Sequence, residues 1–427
     1  MLPIHDVADA ERYLDTLRLD PRSLIVATEQ EDAVRATMAD VAERGDAALV
    51  EAARKFDDPE FTADQLRVTP DEMEAAHGRV SEELRVALSR AIDQVRAYQQ
   101  HIMPTPPSPM DRGGVTLGLR WTPLASAGCY FPGGKASYPS SLIHLAVPAQ
   151  VAGVEQVVAT TPPSKYGKSD LVLAAGHQLG LPFMIRAGGA AGIAALAFGT
   201  ESVPAVDKIV GPGNTFVQIA KRLLAGGVGV DGFLGPSEVL VIADDTANPA
   251  FVAADLLAQA EHDPGSCFLL TDSRPLAEAV VAEVRKQFET LSRQSAIRPA
   301  LENHSAIFVG DMDALLPLAD RFAAEHVNLQ TADPHATLDQ LSHAGCVFIG
   351  PHSPVAAGDY VAGPSHCLPT NTTARFGGGI SVFEFLKRTG TVEYTANAIA
   401  QDATNVVPLA EAEGLDAHAS SVRRRTD

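Results

Sequence analysis

The chain has 427 residues, 46% of them apolar, enough to fill the cores of two or three compact domains. Its 33 basic and 53 acidic residues leave a net charge of −20, which argues against a phosphate-backbone partner and so against nucleic acid. The four cysteines, Cys129, Cys267, Cys346 and Cys367, form no C-x-x-C pair, so a reducing compartment is expected, with neither a disulfide framework nor a cysteine zinc site.

The first residues, "MLPIHDVADAERYLDTLR", carry charges every few positions and lack the basic start and apolar run of a signal peptide. No window approaches the roughly eighteen apolar residues of a membrane span, so a soluble, cytoplasmic protein is expected. From residue 29 to about 103 apolar residues recur at three and four, as in "EDAVRATMADVAERGDAALVEAARKF", which predicts helices. "PTPPSP", residues 104–109, ends that pattern. Short apolar runs then alternate with helical stretches: "VEQVVATT", "SDLVLAAGHQLG", "PFMIRAGG", "GIAALAFG", "DKIVGPG", "FVQIAKRLLA". The alternation resumes after Gly235 with "EVLVIAD", "FVAADLLAQAEH", "CFLLTD" and on to "CVFIG". Strand and helix in turn mean βαβ units and parallel sheets. The expected class is α/β: two tandem, incomplete Rossmann-like modules, a helical N-terminal segment and a small C-terminal tail domain.

The dinucleotide fingerprint has one literal match, Gly227-x-Gly229-x-x-Gly232, but it follows a helical stretch instead of a strand and is read as a false positive. Better placed are three glycine turns at the ends of predicted strands, "YFPGGKASYPSS", "AGGAAG" and "VGPGN". Glycine there lets the backbone approach a phosphate or sugar at the carboxyl edge of a parallel sheet. "DLLAQAEHDPG" places Gln259 and His262 three apart near a helix end, where two donors can converge on one ion. "AAEHVNLQ" sets Glu325 beside His326 where a helix passes into a strand, a pairing suited to a carboxylate handling water and an imidazole taking a proton. "AAGDYVAGPSHCLPT" adds Asp359 and His366 in a Gly/Pro-rich loop, and "EGLDAH" adds Glu413 and His418 within about one and a half helical turns. Taken alone, the glycine stretches read as readily as ordinary turns, and the Gln259/His262 and Glu325/His326 pairs read more readily as solvated helix ends. Together they supply oxygen and imidazole donors without thiolates, as suits a catalytic divalent ion such as zinc with an open position.

The ordered motifs "GCYFPGGKASYPSS", "PAQVAGV", "GGAAGIAALAFGT", "VDKIVGPGN", "GPSEVLVIAD", "DLLAQAEHDP", "AEHVNLQ", "AGDYVAGPSHCLPT", "TARF", "FLKRT" and "EGLDAH" resemble the histidinol dehydrogenase family over nearly the whole chain. The resemblance implies a zinc site at Gln259, His262, Asp359 and His418, and a catalytic acid–base pair at Glu325 and His326. Ser237, His366 and Glu413 are implied as further substrate contacts, and Tyr130, Asn214 and the position of Ala191 as nucleotide contacts. It further implies NAD as cofactor, L-histidinol as small-molecule substrate, and a homodimer whose tails complete each other's sites. Ala191 stands where the family usually has glutamine, and Leu234 and Ser365 are smaller departures. The expected division is an N-terminal helical segment 1–25, a first α/β domain from 26–126 and 238–378, a second from 127–237, and a dimerisation tail 379–427. Two other readings remain open: a family relative oxidising another small alcohol, such as a sulfonated propanediol, and a non-catalytic metal- or nucleotide-binding protein.

Overall fold

The structure is a computed structural model that describes residues 2–10, 13–14, 28–134, 136–232, 235–262 and 265–426. Contacts divide the chain into two units, Met1–Ile102 with Ala125–Phe385, and Met103–Leu124 with Leu386–Asp427. With strands numbered in chain order, the larger unit holds two six-stranded sheets. One contains β2 (Arg67–Val68), β5 (Ser126–Tyr130), β6 (Gln156–Thr161), β7 (Met184–Arg186), β8 (Lys208–Val210) and β9 (Gly229–Val230), in the order β2-β7-β6-β5-β8-β9. The other contains β1 (Ile4–Asp6), β10 (Ser237–Ala243), β11 (Gly265–Thr271), β12 (Ala306–Val309), β13 (His326–Gln330) and β14 (Cys346–Ile349), in the order β1-β12-β11-β10-β13-β14. Every pairing in these sheets is parallel except β2 on β7.

The sequence of β10 shows why a buried parallel sheet forms. Val239, Val241 and Ala243 point into one core with Val252 and Leu256, while Leu240 and Ile242 point into another with Phe268, Phe308 and Phe322. Burial on both faces turns the strand into a continuous apolar run. Each sheet winds outward from its first central strand in two directions: β5 to β6 and β7, then back across to β8 and β9; β10 to β11 and β12, then back to β13 and β14. This is the doubly wound pattern expected of the two modules.

Two expectations shift. The start of the segment expected to be helical, Ile4–Asp6, is a strand paired with β12, and residues 15–25 lie outside those described. The helices Glu29–Arg44 and Asp46–Phe56 pack Val34, Met38 and Leu49 into one core with Tyr130, Val158 and Ile209, on the sheet of β5. The expected division had joined residues 26–126 to 238–378 instead. Helical periodicity shows that a face needs covering, not which sheet covers it.

In the smaller unit β3 (Met110–Asp111), β4 (Val115–Pro123) and β15 (Leu386–Tyr394) form an antiparallel sheet, β15 running against β4 from Leu386↔Pro123 to Tyr394↔Val115. The helices Ala396–Ala412 and Asp416–Arg423 follow. Among the described residues no helix is long and apolar enough to cross a membrane.

Candidate active site

The candidate acid–base pair, Glu325 and His326, lies at the amino edge of the second sheet. Parallel register sets Val239 beside His326, so Ser237 and Glu238 run alongside Glu325. Glu325 is buried, and its Oε2 accepts from the Ser237 hydroxyl at 2.6 Å and the Glu238 amide at 2.9 Å. Burial drives its pKa well above the ordinary carboxyl value, against these two hydrogen bonds, with Glu238 and Asp359 pushing it further up. His326, also buried, has Nδ1 3.2 Å from the Glu238 carbonyl and 3.5 Å from Glu325 Oε2. Burial pushes its pKa down to about 3, and His262 and His366 add to the effect, so the ring is neutral near pH 7. If Nδ1 carries the proton and donates to the Glu238 carbonyl, Nε2 is left with the lone pair a general base needs.

The next ring of residues hangs on the same edge. Gln259, buried in the last turn of the helix Pro249–Ala260, donates from Nε2 to the Ser237 hydroxyl at 2.7 Å, leaving its amide oxygen as the donor an ion would take. His262 is not on that helix but in the turn after it, its amide bonded to the Gln259 carbonyl at 3.1 Å. Gly265 packs back against that helix end: a Cβ there would stand 2.3 Å from the Gln259 carbonyl oxygen, so only glycine fits. Burial lowers the His262 pKa while Asp359 opposes it; burial pushes Asp359 up to about 6 while His262 opposes it, which puts the two in electrostatic contact. Asp359 lies on the short helix Val355–Tyr360, whose first amide, from Val355, donates to Asp255 at 3.3 Å. Asp255 is one turn before Gln259 on the same helix, so one helix holds Gln259 and the start of the helix bearing Asp359. His366 Nδ1 faces the Asp359 carbonyl at 2.9 Å and its Nε2 faces the Ser141 hydroxyl at 3.1 Å.

The nucleotide candidates lie at the opposite edge of the other sheet. Tyr130 ends β5, and its hydroxyl accepts from the Gly189 amide at 3.1 Å, linking the first glycine turn to the second. Gly211, in the third turn, has φ +120, and a Cβ there would stand 1.8 Å from the Tyr130 carbonyl oxygen. Its amide donates to Asp231 at 2.6 Å and its carbonyl accepts from Lys221 at 2.9 Å, two residues that also form a buried ion pair. Asn214 caps the helix Thr215–Leu224 by accepting from Val217 at 3.1 Å. Ala191, in the first turn of the helix Gly189–Phe198, is 4% exposed and packed in the core, so a longer side chain must leave that core to reach a ligand.

Glu413 caps the helix Ala396–Ala412 and His418 lies on the next helix, with Gly414 at φ 74 between them, so they share no helical face; both are exposed in the smaller unit. Among the described residues no group of three or more His, Cys, Asp or Glu is arranged to hold a metal ion. The larger unit links an amide oxygen, an imidazole and a carboxylate at Gln259, His262 and Asp359, a donor chemistry that fits zinc once one further ligand is added.

Glu238 was missed as a site residue, although a lone carboxylate heading the apolar run of β10 is a signal. Its backbone meets both Glu325 and His326, and its buried Oε1 accepts from the Asn371 amide at 2.8 Å. Asn371 and Thr372 both take left-handed conformations, φ 54 and 63, and this bond helps to hold them there. Burial pushes the Glu238 pKa up to about 8.

The family model described as histidinol dehydrogenase matches residues 21–426. A histidinol dehydrogenase of Synechococcus sp. is 44% identical over 421 residues, covering 98% of this chain and 96% of the relative. One from Rhodopseudomonas palustris is 46% identical over 94% of this chain and 93% of its own. The crystal structure of histidinol dehydrogenase from Elizabethkingia anophelis has a TM-score of 0.92 at 33% identity, covering 99% and 98% of the two chains. A putative aldehyde dehydrogenase from Burkholderia cenocepacia, at 14% identity and a TM-score of 0.51, shares the fold alone. The buried Glu325 and His326 on a doubly wound α/β scaffold thus sit in a chain similar to histidinol dehydrogenases over almost its full length, and the chain belongs to the histidinol dehydrogenase family.

Proposed function

We propose that this chain oxidises L-histidinol to L-histidine through the aldehyde, using two NAD in succession. The observation that carries the reading is the Glu325–His326 pair, buried and tied to Ser237 and Glu238, with Gln259 joined to the same hydroxyl. In the first oxidation neutral His326 accepts the hydroxyl proton at Nε2 as hydride leaves the adjacent carbon. The aldehyde must then be hydrated. Glu325 activates that water, since a carboxyl whose pKa is pushed up is a stronger base once ionised. As the water adds, protonated His326 returns its proton to the aldehyde oxygen, and the neutral ring then takes a proton from the resulting diol as the second hydride leaves.

Gln259, His262, Asp359 and His418 would hold zinc, which when bound supplies a template for the substrate's imidazole and amine. NAD supplies the hydride acceptor, with Tyr130, Asn214 and the turn at Ala191 as its contacts. Ser237, His366 and Glu413 complete the substrate contacts. We assign Glu413 and His418 to the partner's site in a homodimer. The exposed strand β15 and exposed Val392, Leu409 and Leu415 in the smaller unit support a covered surface there. The four free cysteines and the charge of −20 support a cytoplasmic enzyme without a nucleic-acid partner.

Steady-state NADH formation tests the reading. Turnover is expected with L-histidinol and not with a sulfonated propanediol, and the reverse result would assign the chain to a family relative with another alcohol.

A further inference from the structure

His144 lies in the helix Pro139–Ala152, in the apolar run "SLIHLAVPA", and is wholly buried. Burial holds its pKa well below the ordinary histidine value, so the ring is neutral, with one N–H and one lone pair. Neither nitrogen has a partner of good hydrogen-bond geometry, and the Tyr360 backbone only weakly opposes the effect of burial. Unpaired buried polar atoms are costly and rare in folded proteins, so stability alone does not account for an imidazole here.

What the ring does touch is His366. The two imidazoles stack, with centroids 4.6 Å apart and planes 27° from parallel. The Ser365 hydroxyl also donates to the His144 carbonyl at 3.4 Å, tying the loop that carries His366 to the same point on the helix. Ser141, which meets His366 Nε2, stands three residues before His144, on the same helical face. One face of one helix therefore presents a hydroxyl to the edge of the His366 ring and an imidazole to its plane. Hydrogen bonds at the two nitrogens of His366 leave that ring free to rock about the line joining them. A stacked ring removes that freedom.

We propose that His144 is a positioning residue of the substrate site, its stacked ring fixing the plane of His366 so that this ring meets the bound substrate in one orientation. The proposal rests on reading His366 as a substrate contact. It is tested in the zinc-loaded enzyme with His144→Leu, which abolishes the stack, and His144→Phe, which keeps it. Both replacements are apolar and remove the unpaired nitrogens, so the fold is expected to hold. From the usual strength of an aromatic pair, His144→Leu is expected to raise KM for L-histidinol by about threefold to tenfold and leave kcat within about twofold. Calorimetry of histidinol binding is expected to weaken by the same factor at unchanged zinc content. His144→Phe is expected to bind and turn over as the unaltered enzyme does, with a higher Tm. Equal binding by the Leu variant and the unaltered enzyme, or a Phe variant as impaired as the Leu variant, overturns the proposal alone. Absence of histidinol binding to the unaltered enzyme overturns the reading of the site and the proposal with it.

Discussion

The sheet of β5–β9 and the sheet of β10–β14 are wound alike, yet the candidate site leaves them at opposite edges. In the first, Tyr130, Gly189 and Asn214 lie at or just beyond the carboxyl ends of β5, β7 and β8, where glycine turns bring the backbone close together. In the second, Ser237 and His326 are the first residues of β10 and β13, and Glu325 comes just before, at the amino ends. The difference follows from what each edge can do. A carboxyl edge with helix N-termini suits an extended anionic ligand. At an amino edge, neighbouring parallel strands enter in register, so side chains and peptide groups of Ser237, Glu238, Glu325 and His326 interlock, and burial there moves pKa values far from their ordinary ranges. Shared winding therefore does not predict shared use.

The two edges are expected to fail differently. Removing zinc with a chelator is expected to abolish NADH formation while circular dichroism shows the fold retained, and replacement of about one zinc per chain to restore it. Full activity in metal-free protein would remove the metal from the amino edge. Next in size, His326→Asn is expected to lower kcat by about a hundredfold or more with little change in NAD affinity. Glu325→Gln is expected to slow aldehyde oxidation more than alcohol oxidation, and equal loss in the two half-reactions would show the division of roles to be wrong.

Glu238 sharpens the contrast through stability. Its carboxyl titrates near 8 in the folded protein against 4.5 ordinarily, so between those values the folded state binds the extra proton. Stability conferred by holding that proton is present at low pH and falls as pH rises through this window, by at most about 1.4 kcal/mol per unit. Denaturant titrations at pH 5 and pH 8 are expected to show a smaller decline for Glu238→Gln than for the unaltered protein, and equal declines would refute the assignment. The smallest effect belongs to the carboxyl edge. Tyr130→Phe removes the hydroxyl that receives the Gly189 amide, worth about 0.5–1.5 kcal/mol, and is expected to raise KM for NAD about twofold to tenfold with kcat unchanged. A fall in kcat at constant KM would place Tyr130 at the chemistry instead.

Much of this was legible in order along the chain. The alternation of apolar strands and amphipathic helices determined a parallel α/β fold, because a strand buried on both faces must be apolar throughout and its crossover must cover a face. The types of Gln259, His262, Glu325 and His326 pointed to ion and proton chemistry, although His262 lies in the turn beyond the helix and not on the helical face that the spacing predicted. What only the tertiary structure decided was which distant groups meet. That Glu238 pairs with the Asn371 amide across 133 positions, that Ser237 bridges Gln259 and Glu325, that His144 stacks on His366, and that the helices Glu29–Arg44 and Asp46–Phe56 cover the sheet of β5 are facts of strand register and packing. Sequence periodicity reports which side of an element is buried, but the identity of the partner, and the desolvation that pushes Glu325 up and His326 down, depend on the whole enclosure around them.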